Sequence, residues 1–378
     1  MEIFKAKWTV KEGWSKTLEA NPKAQLVLIF GSTSILNQHF PLKELKKFYP
    51  KAVFFGCSTA GEILATKVFD DSLVLTAIEF KDTRVTAAYA SIQKTSESLQ
   101  VGERLAKDLP KEGLTHVLVL SDGLKVNGTD LVKGLVSQLP KEVTVTGGLS
   151  GDGARFQETL VLDKEGMPKK DTVAAIGLYG KKLKIGYASL GGWDSFGPER
   201  TITRSEGNVL YELDGKSALE LYKQYLGEHA KGLPATGLLF PLSLRTQSSE
   251  TAVVRTILSV NEADQSMTFA GTMPQGGVAR FMKANFDRLI EGASGAAKAS
   301  YQAVGSSTPE LAILISCVGR KLILKQRIEE EVEGVREVLG AKAALTGFYS
   351  YGEISPFTPG AKCELHNQTM TITTLSEN

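Results

Sequence analysis

The sequence predicts an α/β fold with mixed sheets, packed helices and internally duplicated strand-helix-strand units. Two observations lead to this prediction. First, apolar runs typical of buried strands end in small polar residues at 26–34, 117–123 and 311–320, and each is followed by a helical pattern and a second short strand. Second, alternating apolar and polar runs between these units are typical of antiparallel strands. Together they favour mixed sheets over a purely parallel, doubly wound sheet.

The helical pattern after each first strand repeats apolar residues every three to four positions. This spacing is what a helix with one buried face requires. The apolar positions are Leu42, Leu45 and Phe48 in the first copy, Leu131, Val132, Leu135, Val136 and Leu139 in the second, and Val332, Val335, Val338 and Leu339 in the third.

The second strand of each unit ends in a loop of small residues, at 53–63, 143–153 and 343–354. In the middle copy Ser150 keeps its offset, but Gly151 and Asp152 arrive one residue early. Internal similarity of this kind predicts duplication. The first and third copies align Gly56 with Gly347, Thr59 with Ser350, Gly61 with Gly352, and Glu62 with Glu353.

Composition narrows the class of protein. A length of 378 residues indicates two domains, or one domain of two related halves. The 44 Lys and Arg against 42 Asp and Glu leave a net charge of +2, which argues against a nucleic-acid partner. Three cysteines without a Cys-x-x-Cys pair are typical of a reducing compartment and predict a cytoplasmic location. The N-terminus resembles no signal peptide and no stretch is apolar enough to span a membrane, so we expect no membrane association.

The small-residue loops are the first candidates for a binding site. A strand that ends in Gly, Ser and Thr presents backbone N–H groups and hydroxyls at a sheet edge, where α/β folds commonly bind ligands. Three such paired loops are expected to converge on one pocket. The alternative is that the glycines only form turns and the hydroxyls only cap helices. The candidate ligand-binding residues of these loops are Cys57, Ser58, Thr59, Ser150, Tyr349 and Ser350.

Charged residues near the same loops complete the candidate site. Glu62, Asp152 and Glu353 each follow a glycine-rich turn and are candidates to bind an ammonium group or a cation, or else to cap a helix or pair with a basic side chain. Arg255 interrupts an apolar strand, and Arg320 follows another. Either guanidinium is a candidate for bidentate contact with a ligand carboxylate, whereas an Arg255 that faces solvent would carry no such role.

Catalysis has little support in the sequence. Cys57 and Cys317 lie at the ends of apolar strands, but no activating base can be nominated for either thiol. The four histidines show no clustered metal spacing, and phosphate-loop and serine-hydrolase motifs are absent, so we expect no cofactor or metal. A cysteine-dependent acyl-transfer or hydrolytic enzyme remains the main alternative to a ligand-binding protein. A protein-interaction scaffold with a large exposed apolar patch is a third.

The chain resembles the bacterial FIST sensory proteins. Segments 56–63, 146–153 and 207–227 are similar to the N-terminal part of that family, and segments 253–260, 314–320, 347–356 and 366–371 to its C-terminal part. The resemblance implies a FIST-N-like ligand-binding half at 1–195 and a FIST-C-like half at 196–378. It also implies a sensory, signal-transduction protein for a small polar ligand, with amino acids as candidate ligands. Because no kinase, cyclase or receptor segment is recognisable, the protein would act through a separate signalling protein or serve as a stand-alone binder.

Overall fold

The computed structural model describes residues 1–245, 252–305, 307–357 and 360–377. Within them the chain folds into three related units, at 1–80, 84–179 and 184–376, and an antiparallel sheet is inserted into the third unit at 193–284. Each unit is built around a parallel strand pair with antiparallel strands beside it. The predicted α/β class, with mixed sheets and duplicated strand-helix-strand units, is confirmed.

The first unit places its parallel pair in the middle of a seven-stranded sheet. All six residues of β3 are buried, which explains why its sequence is apolar without alternation. The elements are β1 (Glu2–Thr9), β2 (Gly13–Trp14), β3 (Leu26–Gly31), α1 (Thr33–Gln38), α2 (Leu42–Phe48), β4 (Val53–Ser58), β5 (Glu62–Leu64), β6 (Lys67–Phe69) and β7 (Leu73–Glu79).

The second unit repeats this plan with longer helices. Its elements are β8 (Arg84–Ser91), α3 (Ser98–Asp108), β9 (Leu114–Ser121), α4 (Gly128–Ser137), β10 (Thr144–Leu149), β11 (Val161–Leu162), β12 (Pro168–Lys169) and β13 (Thr172–Tyr179). Helix α4 begins where the side chain of Asn127 accepts hydrogen bonds from the backbone N–H groups of Thr129 and Asp130. Leu131, Val132 and Leu135 of its apolar face are buried as the residue spacing predicts, whereas Val136 is exposed, contrary to that prediction.

The third unit begins with β14 (Lys184–Leu190) and is interrupted by the inserted sheet. The insertion contains β15 (Trp193–Glu206), β16 (Val209–Leu213), β17 (Lys216–Ser217), α5 (Ala218–Leu226), β18 (Leu242–Arg245), β19 (Val253–Arg255), β20 (Ile257–Asn261), β21 (Ser266–Phe269) and β22 (Val278–Ala284). The unit continues with α6 (Phe286–Ala303), β23 (Leu311–Cys317), α7 (Val318–Leu324), α8 (Ile328–Leu339), β24 (Ala344–Ser350), β25 (Gly352–Pro356), β26 (Cys363–His366) and β27 (Met370–Ser376). The predicted division of the chain between residues 195 and 196 lies within β15 and stays a prediction.

The three units exchange hairpins in a ring. After its parallel pair, each unit sends a short hairpin into the sheet of another unit. The hairpin of the first unit begins with β5, which pairs with β24 of the third unit. The hairpin of the second unit begins with β11, which pairs with β4 of the first, and that of the third unit begins with β25, which pairs with β10 of the second. The inner faces of all three sheets share one apolar core, in which Phe30 of the first unit lies 4.7 Å from Phe348 of the third, between ring centroids. The units therefore form one interlocked body.

The repeated glycines have a steric cause. Gly56, Gly147 and Gly347 occupy the same position in the second strand of each parallel pair. A Cβ atom added at these glycines would lie 1.9, 1.9 and 1.8 Å, respectively, from a backbone oxygen of the neighbouring strand. No side chain fits at that distance, so the spacing that revealed the duplication reflects a packing requirement.

Within the described residues, no helix is both long enough and apolar enough to cross a membrane.

Candidate functional site

The loops that follow the second strand of each parallel pair meet in one place, which we call the loop hub (residues 58–62, 149–153 and 349–353). Three backbone hydrogen bonds join them in a ring, so that Thr59, Ser150 and Ser350 take equivalent positions. The three loops therefore meet, whereas their convergence on a ligand pocket stays a prediction. The bonds run from Ala60 N to Tyr349 O at 2.8 Å, from Gly151 N to Ser58 O at 2.9 Å, and from Tyr351 N to Leu149 O at 3.1 Å.

Two buried glutamates brace the hub in matching ways. The hydroxyl of Thr59 donates to Glu62 Oε1 at 2.5 Å, and Ser72 donates to Glu62 Oε2 at 2.6 Å. In the third unit Ser350 donates to Glu353 Oε1 at 2.6 Å, while the backbone N–H and hydroxyl of Thr369 donate to Oε2. Burial raises the pKa of both carboxyls to about 8. The hydrogen bonds lower the pKa, but their effect is smaller than that of burial.

Asp152 does not share the position of these glutamates. The ring of backbone bonds aligns it with Gly61 and Gly352, one residue before the acids. Its carboxylate pairs with Arg155 and accepts the backbone N–H groups of Gln157 and Glu158. Asp152 therefore orders the loop that leads towards β11.

The other hub side chains are also engaged within the protein. Ser58 Oγ donates to the carbonyl of Gly151 and accepts the N–H of Leu160, each at 2.8 Å. Ser150 Oγ donates to the carbonyl of Ser121 at 2.9 Å, and the Tyr349 hydroxyl donates to Glu331 at 2.7 Å. Cys57, Ser58, Thr59, Glu62, Ser150, Tyr349, Ser350 and Glu353 are all buried. The hub is a packed junction, and a ligand would have to break these bonds to contact its hydroxyls.

Arg320 forms a buried ion pair inside the third unit. Its Nε and Nη2 donate to Glu331 Oε2 at 3.0 and 2.8 Å, and its remaining bonds go to the carbonyls of Gly191 and Leu289. Both charged side chains are fully buried. Because the guanidinium already has a carboxylate partner, its geometry fits a structural role.

The thiols have surroundings that oppose nucleophilic chemistry. Burial raises the pKa of Cys57 and of Cys317, and the nearby Glu353 carboxyl raises the latter further. A thiolate is the reactive form, so both side chains are held in their unreactive state. Among the described residues, no group of three or more His, Cys, Asp or Glu side chains could hold a metal ion.

A cavity of about 540 Å³ lies where α4 faces the inserted sheet and the start of β26. Residues from both predicted halves of the chain line it, and Arg255 is the predicted site residue that the structure places there. The apolar wall consists of Val132, Val136, Leu244, Val253 and Pro274, and the charged side chains are Lys133, Arg255, Lys362 and Glu364. A cavity with an apolar wall and a few charged groups is typical of small-ligand sites.

Arg255 faces this cavity with an incomplete set of partners. It is 4% exposed, its Nη1 donates to the carbonyls of Val254 and Leu365, and its Nε has no hydrogen-bond partner among the described residues. No described carboxylate lies within ion-pair distance, and burial lowers the pKa of Arg255 from its usual 12.5 to about 10 although Glu364 acts in the opposite direction. A buried cation of this kind is stabilised by an anionic ligand.

Lys133, Lys362 and Glu364 were not among the sequence-predicted site residues. Lys133 lies on the exposed side of α4, and the only local signal is that its neighbour Val136 is apolar and yet 43% exposed. Lys362 and Glu364 flank Cys363 at the start of β26. Tertiary packing of α4, the inserted sheet and β26 brings these side chains to Arg255.

Comparison with known proteins identifies the family to which the chain belongs. The FIST N domain model matches residues 25–216, and the FIST C domain model matches residues 218–356. An uncharacterized protein of Methanocaldococcus jannaschii is 26% identical over 207 residues, which are 52% of this chain and span 38% of that relative's length. The solved cyanuric acid hydrolase of A. caulinodans aligns over 99% of this chain and 98% of its own at 8% identity, but its TM-score of 0.36 supports no argument. The paired domain matches cover most of the chain, which therefore belongs to the FIST family.

Proposed function

We propose that this protein is a sensor that binds a small carboxylate ligand in the cavity at Arg255, and that amino acids are the leading ligand class. FIST domains are associated with sensory signal transduction and bind small ligands. The observation that carries the proposal is the buried Arg255 guanidinium, which has a free N–H and no carboxylate partner among the described residues. A ligand carboxylate in the cavity would supply the missing counter-ion.

The charges around the cavity match the two ends of an amino acid. Arg255 would hold the carboxylate, and Glu364 lines the same cavity as the candidate partner for the ammonium group. The apolar wall beside α4 would receive an apolar side chain. A micromolar ligand needs about 8 kcal/mol of binding free energy, which two charge-assisted contacts and partial burial of an apolar side chain can supply.

Arg255 is also positioned to report occupancy to the loop hub. Its Nη1 donates to the carbonyl of Leu365 in β26 at 2.9 Å. The next residue, Thr256, donates its N–H to the side chain of Asn367, which in turn donates to the carbonyl of Tyr351 in the hub. In the proposal, ligand binding tightens this contact between the insertion and the exchanged hairpin, and a separate signalling protein recognises the change.

A thermal-shift screen of the full chain against amino acids and simple carboxylates tests this function. We expect at least one carboxylate to raise the melting temperature of the wild type, and Arg255→Gln to abolish that shift because the anion loses its partner. The matched control is Arg204→Gln, since Arg204 lies in the same inserted sheet but is 61% exposed. Wild-type stabilisation that persists undiminished in Arg255→Gln would contradict the assignment, as would a complete screen without any stabilising carboxylate.

A further inference from the structure

A second cavity lies at the opposite end of the parallel strands from the loop hub. It measures about 580 Å³ and opens at the seam between β1 of the first unit and the third unit, where β24 begins. Its charged lining residues are Lys5, Glu310, Arg336 and Lys342, and the hydroxyl-bearing Thr308 also lines it. This seam is separate from the cavity at Arg255, which lies against the inserted sheet.

The side chains of Lys5, Arg336 and Lys342 have no carboxylate partner in the described part of the chain. Lys5 is partly buried, and burial together with the nearby Arg336 and Lys16 lowers its pKa. Arg336 donates Nη1 to the carbonyls of Gly340 and Ala343, which keeps its guanidinium at the cavity.

The acid of the same cavity is already engaged. Glu310 Oε1 accepts a hydrogen bond from the amino group of Met1 at 2.7 Å, and its Oε2 accepts one from the N–H of Glu377 at 2.8 Å. The free charge facing the cavity is therefore positive.

The equivalent seam of the molecule shows that the fold does not require a lysine here. A smaller cavity of about 310 Å³ opens between β8 and the start of β4, as this one does between β1 and the start of β24. Trp8 and Gly31 both pair with Leu73 in the first unit. In the second unit Ala90 and Ser121 both pair with Val173. Trp8 of β1 is therefore equivalent to Ala90 of β8, and three residues earlier Lys5 is equivalent to Ala87. The fold thus accepts an alanine at the position of Lys5.

We propose that the seam between β1 and the third unit binds a phosphate group, either as inorganic phosphate or as the phosphoryl group of a small molecule. Lys5, Arg336 and Lys342 come from three different segments and line one cavity, as a dianion with several acceptor oxygens requires. The Thr308 hydroxyl provides an uncharged donor at the same cavity. Two partly buried cations that repel each other are stabilised when such a group lies between them.

Isothermal titration calorimetry with the full chain tests this site, using inorganic phosphate and phenyl phosphate as separate probes at constant ionic strength. We expect saturable binding of at least one probe to the wild type, and Lys5→Ala should weaken it about tenfold, which corresponds to about 1.4 kcal/mol. Binding of phosphate alone would identify the free ion as the ligand. Binding of phenyl phosphate as well would show that the cavity accepts a phosphoryl group on a larger molecule.

Two controls separate this site from general charge effects and from the proposed carboxylate site. Lys164→Ala removes one charge from the equivalent cavity and should leave phosphate affinity within about twofold. Arg255→Gln should also leave it unchanged. Lys342→Ala, at an exposed position, tests the site if Lys5→Ala proves unstable, and it should weaken binding several-fold. Equal affinity in both seam variants and the wild type, or an equal heat from chloride, would overturn the proposal.

Discussion

The paired glutamates of the loop hub make stability depend on pH in a direction opposite to that of most carboxyls. Because the pKa of Glu62 and of Glu353 is raised to about 8 in the fold, each binds a proton on folding at any pH between its usual 4.5 and about 8. The folded state is then favoured most below pH 4.5 and loses this contribution as pH rises to 8. The perturbation that tests this is Glu62→Gln together with Glu353→Gln, which keeps the size of each side chain and removes its titration.

The magnitude is clearest between pH 6.5 and 8. Each carboxyl contributes up to about 1.4 kcal/mol per pH unit, so each can lower the free energy of unfolding by up to about 2 kcal/mol across this window. The buried histidines are the reason why this pH window begins at 6.5. Burial lowers the pKa of His116 to about 3 and of His366 to about 4, so these side chains destabilise the fold only as pH falls below 6.5.

The assay is urea unfolding of the wild type and the double variant at half-unit steps from pH 6.5 to 8. We expect the wild type to lose stability as pH rises and the double variant to show a much smaller slope. Glu165→Gln is the control, because that side chain is 56% exposed, and it should keep the wild-type slope. The reasoning would be refuted if the wild type had constant stability across the window or if the double variant kept the full slope.

Three further predictions concern packing, the buried ion pair and the thiols. Gly347→Ala places a Cβ 1.8 Å from a strand carbonyl, so it should destabilise the fold by more than about 3 kcal/mol, and a wild-type urea midpoint would contradict the packing argument. Glu331→Gln leaves the Arg320 charge buried without its counter-ion, which should cost about 3–5 kcal/mol by the same measurement; a loss below about 1 kcal/mol would show that the pair is dispensable. Cys57 and Cys317 should react with iodoacetamide at neutral pH only after denaturation, as measured by mass spectrometry, and rapid labelling of the folded protein would revive the cysteine-enzyme alternative.

Local patterns in the sequence predicted the buried strands and helices of the duplicated units, but not the inserted sheet at 193–284. Spacing alone revealed the buried strands and the helical faces, because each depends on residues close together in the chain. The repeat was found in the same way, from the short segments around Gly56 and Gly347. The three loops follow strands of three different sheets, so their meeting depends on how the units pack together. The hairpin exchange did not follow, because the pairing of β5 with a strand about 280 residues later depends on how the finished sheets meet.

The candidate site could be predicted from the sequence only in part, for a similar reason. Arg255 was identified because a charge interrupts an apolar strand, but period-two geometry left open which face of the strand it occupies. Glu62 and Glu353 were correctly aligned by their offsets from glycine, yet their partners Ser72 and Thr369 lie just before β7 and β27, at positions that the loop sequence does not specify. Lys133 and Glu364 reach the cavity only through tertiary packing.

The ring of exchanged hairpins bears on how such a chain can arise. Each unit gives one hairpin and receives one, and the order of giving runs from first to third, third to second and second to first. Three separate copies of a single unit, related by a threefold rotation, would satisfy the same pairing with identical contacts at every seam. Joining the copies into one gene would free each seam to diverge. One seam could then acquire Lys5 where another keeps Ala87, and one unit could accept an insertion of some ninety residues without loss of the ring.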